Sequence, residues 1–478
     1  MKRCYTFFIV LYFLSINTYA TDYYWKGGSG NFNDPNMWWL NSFGSGQTAL
    51  QAPISTDNVY FMAAAFTAPG AVVTVNSNAN CDSMTWDDNI IAANQPTLSG
   101  GSGSVYLDIY GSIEFATNMV NSYNGHIRLK AAGTVESILS RGVRFRGRTI
   151  VLDGTATSEW HLLDDFNNSY SYAASISGGI RLVNGKFFSN GHTMIVDRIL
   201  FYSNASQTTA VNLDGSEVYV RLEYDVNNNP ANYAFFSLAG TSIYLNGFPG
   251  RTTAVAATMG NSLIYENIYT NHTTNFYNGL TAENLHANAN VNFQTNNVSA
   301  SIENFHASPL KTYTLSGGNY QLNIENYYLT ASCSNPPLFF AIYGGDINKK
   351  TAGTLDIDNS ILQGIGCDTT AGRSYNATNT VDAGGNSDNW NFVVASSRQM
   401  YFRPAANNKW HLAANWQVWN GSTLVPNTGC PPTPNDDVYF DLLSFPGVNL
   451  NVEVDSNAFC RDMRWLGSVV DSASMDIK

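Results

Sequence analysis

Short runs of alternating apolar and polar residues recur along most of the chain, and this two-residue period predicts β-strands. No stretch longer than a turn or two carries the apolar period of an amphipathic helix. The runs follow one another about every 20 to 25 residues, at 105–109, 127–129, 149–152, 180–183, 218–222, 243–245 and 263–264. Regular recurrence at this spacing favours a repetitive all-β architecture.

A short motif sharpens this period in the second half of the chain. At five places an apolar residue and an acidic residue precede an asparagine, and the acidic residues are Glu266, Glu283, Glu303, Glu325 and Asp358. In a β-solenoid each coil stacks on the next about 4.8 Å away, so equivalent residues form columns. Asparagine suits such a column because it tolerates left-handed bends and its amide can bond to the asparagines above and below.

The sequence therefore predicts an all-β protein in which a right-handed parallel β-helix, or β-solenoid, covers residues 101–383. A string of β-sandwich domains is the alternative, and it would require turns about every 8 to 12 residues and clear linkers between domains. The only stretch that has the character of a linker is 384–397. The solenoid is therefore the favoured architecture.

Two segments of the chain are copies of one small β module. Residues 53–86 and 432–465 match in order when the sequence is shifted by 379 positions (465 minus 86), so that Trp86 corresponds to Trp465. We place the homologous modules at 21–100 and 398–478, on either side of the predicted solenoid. The second copy stops soon after Trp465, and we expect it to be truncated where a further long segment would begin.

Residues 1–20 have the pattern of a secretory signal peptide. Lys2 and Arg3 precede an apolar run that is short for a membrane span, and small residues stand at Thr18 and Ala20. A single membrane anchor is the alternative. No later stretch is long and apolar enough to form a transmembrane segment, so we expect a secreted protein or one held at the outer cell surface.

The composition limits the partners of this protein. Charged residues make up 13% of the 478 residues, the formal net charge is −12, and the isoelectric point is near 4.9. Nucleic acid requires a basic surface for its phosphates, so the sequence predicts no nucleic-acid partner.

The cysteines after the signal peptide suit disulfide bonds, because an exported protein folds under oxidising conditions. The predicted pairs are Cys333 with Cys367 and Cys430 with Cys460, which leaves Cys81 as a free thiol. A metal site at these cysteines is less favoured, since the chain has no CxxC motif and no cluster of histidine and cysteine.

A basic set of side chains is the first candidate for binding. Its members are predicted to form one face that could hold sulfate, carboxylate or phosphate groups of a surface glycan. They are Arg128, Lys130, Arg144, Arg146 and Arg148. The alternative is a solvated surface that local Asp and Glu residues balance.

The second candidate is the acidic column Glu266, Glu283, Glu303, Glu325 and Asp358. Stacked carboxylates repel one another unless a cation bridges them, and calcium takes about six to eight oxygen ligands. Calcium is therefore one hypothesis, while outward-facing acids without a metal are the favoured interpretation. The sequence predicts no other cofactor.

The third candidate is a set of rings, each two residues after an asparagine of the motif: Tyr269, His286, His306 and Tyr328. A solenoid would stack these rings on one another, and aromatic side chains also suit sugar rings. Two histidines one coil apart could share a metal, but the sequence shows no third ligand. Structural stacking is the favoured interpretation.

Several segments of the chain match the pattern of a known protein family. They are YYWKGGSGNFNDPNMWW (23–39) with TDNVYF (56–61), SEWHLLDDF (158–166), GGIRLVNGKFFSNGHTMIV (178–196) and SYNATNTVDAGGNSDNW (374–390). These segments resemble large secreted surface proteins of Bacteroidota with β-helix repeats. The resemblance implies an adhesin-like or gliding-associated protein exported by type IX secretion. That route implies a C-terminal sorting domain, which these residues lack, so either the chain is a fragment or its route differs.

No set of residues in the sequence identifies a catalytic centre. We therefore predict a non-catalytic surface protein with a role in adhesion or envelope structure, and a surface polysaccharide or another cell-surface component as its partner. A β-helix polysaccharide lyase or glycoside hydrolase is the alternative, because Asp164-Asp165 and the run Ser189-Asn190-Gly191-His192 faintly resemble galacturonan-cleaving enzymes. A passive spacer within a longer surface protein is the third hypothesis.

Overall fold

The structure, a computed structural model, describes most of the chain after the predicted signal peptide, of which residues 1–19 lie outside the described part. The described residues are 20–146, 148–169, 178–201, 209–226, 233–247, 254–259, 263–294, 299–316, 320–329, 338–393, 397–404, 408–427, 431–433, 435–445, 451–454, 458–466 and 474–477. Within these ranges the regular structure consists of β-strands and single-turn 3₁₀ helices, with no α-helix.

The strands of the first part of the chain are short and follow one another around successive coils. They are β1 (Asp22–Trp25), β2 (Gly30–Asn31), β3 (Trp38–Leu40), β4 (Gln47–Thr48), β5 (Asn58–Phe61), β6 (Val72–Val75), β7 (Ala79–Cys81), β8 (Met84–Trp86), β9 (Thr97–Gly100), β10 (Tyr106–Ile109), β11 (Ile113–Glu114), β12 (Val120–Asn121), β13 (His126–Leu129), β14 (Val135–Leu139), β15 (Ile150–Asp153), β16 (Glu159–Leu162) and β17 (Phe166–Asn168). The 3₁₀ helices of this part are Pro35–Met37, Ala63–Ala65 and Ala92–Asn94.

Several of the strands that follow are longer, and some of them pair with different neighbours at their two ends. They are β18 (Gly179–Phe188), β19 (Met194–Phe201), β20 (Thr209–Asn212), β21 (Glu217–Val226), β22 (Tyr233–Ser237), β23 (Ser242–Leu245), β24 (Val255–Thr258), β25 (Ile264–Thr270), β26 (Thr274–Phe276), β27 (Leu280–Ala287), β28 (Val291–Phe293), β29 (Ser299–Ala307), β30 (Thr312–Leu315), β31 (Tyr320–Leu329), β32 (Leu338–Lys349), β33 (Gly353–Asp358), β34 (Ile361–Gly366), β35 (Arg373–Thr378), β36 (Val381–Asp382) and β37 (Trp390–Val393).

Parallel pairing between coils builds these strands into a β-solenoid of about 14 turns. β10 pairs with β13, β13 with β15, and β15 with β18, all in parallel register. This register superposes inward residues of successive coils, and one buried column is Ile109, Leu129, Leu152 and Leu182. Alternation along each strand sends every second side chain into the core, where the columns exclude water. The predicted all-β solenoid is confirmed.

The first copy of the repeated module is stacked directly on the coils that follow it. β7 pairs with β10 and β8 pairs with β11, both in parallel. At the opposite edge, β3 pairs with β1 and β4 pairs with β3, both antiparallel. One hydrophobic core continues from Tyr23 to Trp390. The solenoid also continues into the segment predicted as a linker, 384–397, because β37 pairs in parallel with β35.

The second copy of the module has its own hydrophobic core, formed by buried residues from Met400 to Val454. Its strands are β38 (Gln399–Phe402), β39 (Trp416–Trp419), β40 (Leu424–Pro426), β41 (Asp437–Phe440), β42 (Asn451–Val454), β43 (Asp462–Trp465) and β44 (Ser474–Ile477), with 3₁₀ helices at Ala413–Asn415 and Leu442–Ser444. β38 pairs antiparallel with β39 and parallel with β41, just as β1 pairs with β3 and β5.

The two copies also share individual hydrogen bonds. The indole N–H of Trp38 donates to the carbonyl of Phe32 over 2.8 Å, and the indole N–H of Trp416 donates to the carbonyl of Trp410 over the same distance. Both indoles are fully buried, so each needs such an acceptor. The internal repeat read from the sequence is therefore a repeat of structure down to the side chains.

Candidate functional site

A continuous surface feature of the described part of the solenoid is a column of six stacked rings, which we name the ring ladder. It consists of Tyr219, Tyr244, Tyr269, His286, His306 and Tyr328. Successive ring centroids are 4.5, 4.7, 4.4, 4.3 and 4.9 Å apart, and successive ring planes are inclined by 8, 11, 5, 10 and 16°. The last four rings are those that the sequence predicts to stack, and two further tyrosines extend the column.

Strand alternation and parallel register place these rings. Tyr244, for example, stands between Ile243 and Leu245, which are both buried in the core. Because successive side chains of a strand point to opposite faces, the buried neighbours direct the ring outward. In-register pairing then superposes equivalent residues at the spacing between strands, about 4.8 Å, which is close to the separation of stacked rings.

Two columns of side-chain amides accompany the ring ladder, and we name them the amide ladders. In the first, each amide donates a hydrogen bond to Oδ1 of the previous one, at 3.1, 2.9 and 3.0 Å, along Asn267, Asn284, Asn304 and Asn326. In the second, the corresponding distances are 2.8 and 2.9 Å, along Asn246, Asn271 and Asn288. Each asparagine thus satisfies part of its hydrogen-bonding capacity with the neighbouring coil.

The sequence offered two reasons for a column of asparagines, namely tolerance of left-handed bends and amide hydrogen bonds between coils. Only the second reason explains the first amide ladder. Asn267, Asn284, Asn304 and Asn326 lie inside strands, where the amide bonds between coils explain the residue type. Of the five motif asparagines, only Asn359 has a left-handed backbone, with φ of 47°. The expected left-handed bend therefore applies to that position and is wrong for the other four.

The ring ladder and the amide ladders together form a regular hydrogen-bonding surface. Stacking covers the faces of the inner rings, so their edges, which carry tyrosine hydroxyls and imidazole nitrogens, are the groups left for a ligand. A side-chain amide has two N–H donors and two acceptor lone pairs, and a ladder uses about one of each per residue. The remaining donors and acceptors repeat once per coil along the solenoid.

The stacking geometry does not favour a metal ion shared by His286 and His306. Their rings are inclined by 10° with centroids 4.3 Å apart. Imidazole lone pairs lie in the ring plane, so in two stacked rings they point side by side rather than towards one ion. In the part of the chain that the structure describes, no group of three or more His, Cys, Asp or Glu side chains could hold a metal ion.

Because of His286 and His306 in the ring ladder, we expect the stability of the solenoid to depend on pH. Burial lowers the pKa of His286 and of His306, and the charge of His306 lowers the pKa of His286 further. A lowered pKa means that folding favours the neutral imidazoles. This stabilisation is therefore complete above the unfolded pKa of about 6.5 and is lost as the pH falls below it.

We expect the melting temperature to fall between about pH 7 and pH 5, and to fall less in the double variant His286→Tyr/His306→Tyr. Tyrosine keeps a ring in the column but carries no charge in this range. Thermal unfolding followed by circular dichroism at both pH values measures the difference. An equal loss of stability in both proteins would show that other groups, such as His126, cause the dependence, since burial lowers its pKa as well.

Two members of the acidic column have separate lysine partners. Glu303 pairs with Lys350 at 2.9 Å, and Glu325 pairs with Lys349 at 2.5 Å. Lys349 lies in the layer above, because β32 stacks on β31 and pairs Lys349 with Ile324. These lysines compensate the negative charge of Glu303 and Glu325.

Asp358 does not continue the acidic column, so this part of the prediction is wrong. It ends β33, which pairs with β35 and sets Asp358 beside Thr378. The layer that follows Glu325 instead contains Lys349 and Lys350. Asp358 accepts a hydrogen bond from the side chain of Asn379 at 3.2 Å.

Two of the predicted basic residues share one carboxylate. Arg128 donates two hydrogen bonds to the buried side chain of Asp108, at 2.6 and 2.5 Å, and Nζ of Lys130 lies 3.9 Å from the same carboxylate. The Arg128 guanidinium also lies 4.1 Å from the ring centroid of Tyr106. Arg148 is half-buried, and its Nε has no hydrogen-bond partner within the described residues. The side chains of Arg128 and Lys130 are thus already occupied by contacts within the protein.

Arg144 and Arg146 lie on a different side of the coil from Arg128, so the prediction of one basic face is wrong. The residue stacked on Arg128 in the next coil is Val151. Arg144 and Arg146 therefore belong to the same coil as Arg128 and follow β14, on another side. Both are exposed on either side of the buried Phe145, and neither forms an ion pair with any described residue.

The described cysteines form no disulfide bond. Cys81, Cys367 and Cys460 carry free thiols, so the predicted bonds of Cys367 and Cys460 are not found. Their predicted partners, Cys333 and Cys430, lie outside the described residues. Cys81 is fully buried, and burial raises the pKa of its thiol well above the ordinary value, which suppresses the reactive thiolate.

The acidic pair considered for catalysis holds neighbouring coils together. Asp164 accepts hydrogen bonds from the backbone N–H and the hydroxyl of Ser140, at 2.8 and 3.1 Å, and from the backbone N–H of Arg141. Asp165 accepts one from the backbone N–H of Thr193 at 2.9 Å. Carboxylates that are committed to turns in this way are not arranged around a common substrate position, as glycoside hydrolysis requires.

Two members of the ring ladder, Tyr219 and Tyr244, were missed by sequence reasoning. Neither follows a Glu-Asn motif, and that motif was the signal used to align the coils. A second signal was present, since each tyrosine stands between two aliphatic residues in a predicted strand, at 218–220 and 243–245. The same arrangement recurs at His286, which stands between Leu285 and Ala287.

None of the helices in the described ranges is long and apolar enough to cross a membrane. Comparison of the chain with protein-family models, with curated proteins and with solved structures found no match. The function must therefore be argued from the fold and from the geometry of its surface.

Proposed function

We propose that this chain is a non-catalytic, exported protein of the cell surface that binds a neutral polysaccharide along the ring ladder and the amide ladders. A β-solenoid fits a surface or structural protein, because each coil supports only its neighbours and the length can grow without a new core. The observation that carries the proposal is the uninterrupted stacking of the ring ladder from Tyr219 to Tyr328.

An extended polysaccharide matches this surface because it is itself a linear array of hydroxyl groups. Tyrosine hydroxyls, imidazole nitrogens and side-chain amides can each donate to or accept from such hydroxyls. Contacts of one coil are weak, but many coils that engage the same polymer add their contributions as avidity. A long, shallow face is sufficient for this kind of binding, and no deep pocket is needed.

The charge of the surface favours neutral sugars over acidic ones. The ring and amide ladders contain only tyrosine, histidine and asparagine, and burial lowers the pKa of His286 and His306, so that both are neutral at pH 7. The protein as a whole carries a formal charge of −12, which repels polyanions. Acidic polysaccharides would have to rely on isolated cations such as Arg144 and Arg146.

A variant of the ring ladder tests the proposal. Tyr269→Ala/His286→Ala removes two adjacent rings from the middle of the column, and we expect neutral-polysaccharide binding to weaken at least about tenfold, or roughly 1.4 kcal/mol. Tyr277→Ala is the matched control, since Tyr277 is 40% exposed but lies outside the ladder. Depletion of the protein by a panel of neutral and acidic insoluble polysaccharides measures binding, and the sugars are sized afterwards.

The other hypotheses give different results in the same experiment. Binding that survives in the ladder variant but is lost in Arg144→Ser/Arg146→Ser would contradict a site on the ladder and place it at the arginines. Shortened sugars would overturn the non-catalytic assignment in favour of a polysaccharide-cleaving enzyme. A protein that no polysaccharide depletes would support the passive spacer.

A further inference from the structure

The face that carries the ring ladder continues past its first ring, Tyr219, into the preceding coils. Tyr219 pairs with Ile195, and Ile195 pairs with Asn167. Ile195 and Asn167 each stand between two buried residues, so their side chains point outward as the rings do. The carbonyl of Asn167 accepts a hydrogen bond from the backbone N–H of Phe145 at 2.8 Å, which places Phe145 one coil further towards the N-terminus.

Arg144 and Arg146 lie at this end of the face, which we name the foot of the ladder. Both are exposed, and they flank Phe145, which is buried. The ring of Phe145 packs between those of Phe115 and Phe166, at 4.7 and 5.2 Å, and so fixes the backbone that carries the arginines. Three steps of about 4.8 Å separate this coil from the first ring of the ladder, or about 14 Å.

The two arginines keep their positive charge available for a ligand. Neither Arg144 nor Arg146 forms an ion pair with any described residue. Acidic residues of the neighbouring coils have other partners, since Glu114 pairs with Arg141 at 2.6 Å and Asp165 accepts a hydrogen bond from a backbone N–H at 2.9 Å. A guanidinium group matches a carboxylate with two parallel N–H donors, and here two such groups stand two residues apart on one surface.

The charges beside the rings have the opposite sign. Glu283 is exposed and Glu303 is 46% exposed, and each directly precedes an asparagine of the first amide ladder. A ligand with an acidic group on every sugar would meet these carboxylates and be repelled. A mainly neutral polymer avoids this repulsion and can still place an occasional acidic group at the foot of the ladder.

We propose that the polysaccharide bound along the ring ladder carries isolated carboxylate groups, as uronic acid residues do, and that Arg144 and Arg146 bind one of them at the foot of the ladder. This inference rests on the function proposed above and adds the class of polymer to it. Because the arginines and the rings lie on one line along the solenoid, the polymer runs parallel to the solenoid axis. The arginines add one charged contact to the many neutral contacts of the ladder.

A lightly oxidised polysaccharide tests this proposal. The neutral polysaccharide that depletes most of the wild-type protein is compared with the same polymer after a small fraction of its primary alcohols has been oxidised to carboxylates. We expect the oxidised polymer to bind about fivefold more tightly, which is the upper range for one exposed ion pair. Conversion of the carboxylates to methyl amides should abolish this gain, and so should about 1 M salt, which screens the charges.

Variants assign the gain to the arginines. Arg144→Ser/Arg146→Ser should bind the neutral polymer as the wild type does and should lose the gain on oxidation. Lys186→Ser/Arg198→Ser is the matched control, because it removes the same charge from side chains that pair with glutamates in other strands. This control should keep the gain. The ring-ladder variant described above should bind both polymers weakly.

The failure of this proposal can be told apart from the failure of the proposed function. Equal binding of the neutral and the oxidised polymer by the wild type would overturn the carboxylate site and leave the neutral site intact. A gain that persists in Arg144→Ser/Arg146→Ser would overturn the carboxylate site as well. If no neutral polysaccharide depleted the protein, the proposed function would fail, and this proposal would fail with it.

Discussion

Replacement of Arg221 by methionine is expected to lower the free energy of unfolding by about 3–5 kcal/mol. Arg221 donates to Oδ1 of Asp197 through Nε at 2.9 Å and through Nη2 at 2.6 Å. The side chain of Asp197 is completely buried and also accepts a hydrogen bond from the backbone N–H of Gly178 at 2.8 Å. Without the guanidinium, its negative charge would remain in the interior without its main compensation.

Denaturant unfolding of the purified protein measures this effect. Lys350→Met is the control, because Lys350 pairs with Glu303, a carboxylate that is 46% exposed. Surface pairs contribute about 0–1 kcal/mol, so this variant should lose little. The double variant Asp197→Asn/Arg221→Met removes both charges and keeps an acceptor for Gly178, and it should recover part of the loss. If Arg221→Met and Lys350→Met lost the same amount, the assignment of a buried charge pair would be wrong.

Truncation of Trp86 to alanine is expected to cost about 3–5 kcal/mol, because it empties a large buried site that the surrounding coils cannot collapse to fill. Trp86 is fully buried, with its ring stacked on Phe61 at 3.9 Å and on Phe66 at 5.8 Å. Hydrogen exchange of β5 and β8 reports the free energy of local opening around the indole.

The chain provides its own control for this substitution. Trp465 occupies the equivalent position and stacks on Phe440 and Phe445, but 40% of it is exposed. Trp465→Ala, followed by hydrogen exchange of β41 and β43, should cost less than half as much. Equal costs would mean that the edge of the second copy is as well covered as the interior of the first.

The solenoid could be predicted because repetition reports contacts between coils that are distant in sequence. The Glu-Asn motif gave the register of β25, β27, β29 and β31 directly, and so it located both an amide ladder and the last four rings. Parallel in-register stacking leaves little freedom once one column is known. The repeat of 379 positions likewise identified two modules with the same strand pairing.

The positions of the basic residues and of Asp358 on the solenoid could not be predicted, because the number of residues in each coil was not known from the sequence. Arg128 and Arg144 are 16 positions apart (144 minus 128), but the residue stacked on Arg128 is Val151, 23 positions away (151 minus 128). An error of a third of a coil moves a side chain to a different face. Asp358 was misplaced for a related reason, because β32 supplies the layer above Glu325 and β33 joins another sheet.

The disulfide predictions followed from the expected compartment rather than from geometry. In a solenoid, residues that are neighbours in space on adjacent coils are separated by one coil of sequence. Without the length of the coils, the spacing of two cysteines does not tell whether they lie within bonding distance. Cys81 and Cys367 are instead small buried residues of the core.

The amide ladders keep their alignment although the coils differ in length. Asn271 lies 25 positions after Asn246, whereas Asn288 lies only 17 after Asn271, and Asn326 lies 22 after Asn304. The extra residues must therefore be accommodated between the paired strands. An insertion or deletion at such a point alters a surface loop and leaves the columns undisturbed. Over evolutionary time, a chain of this kind can thus change the length of individual coils, while the ring ladder and the amide ladders are inherited unchanged.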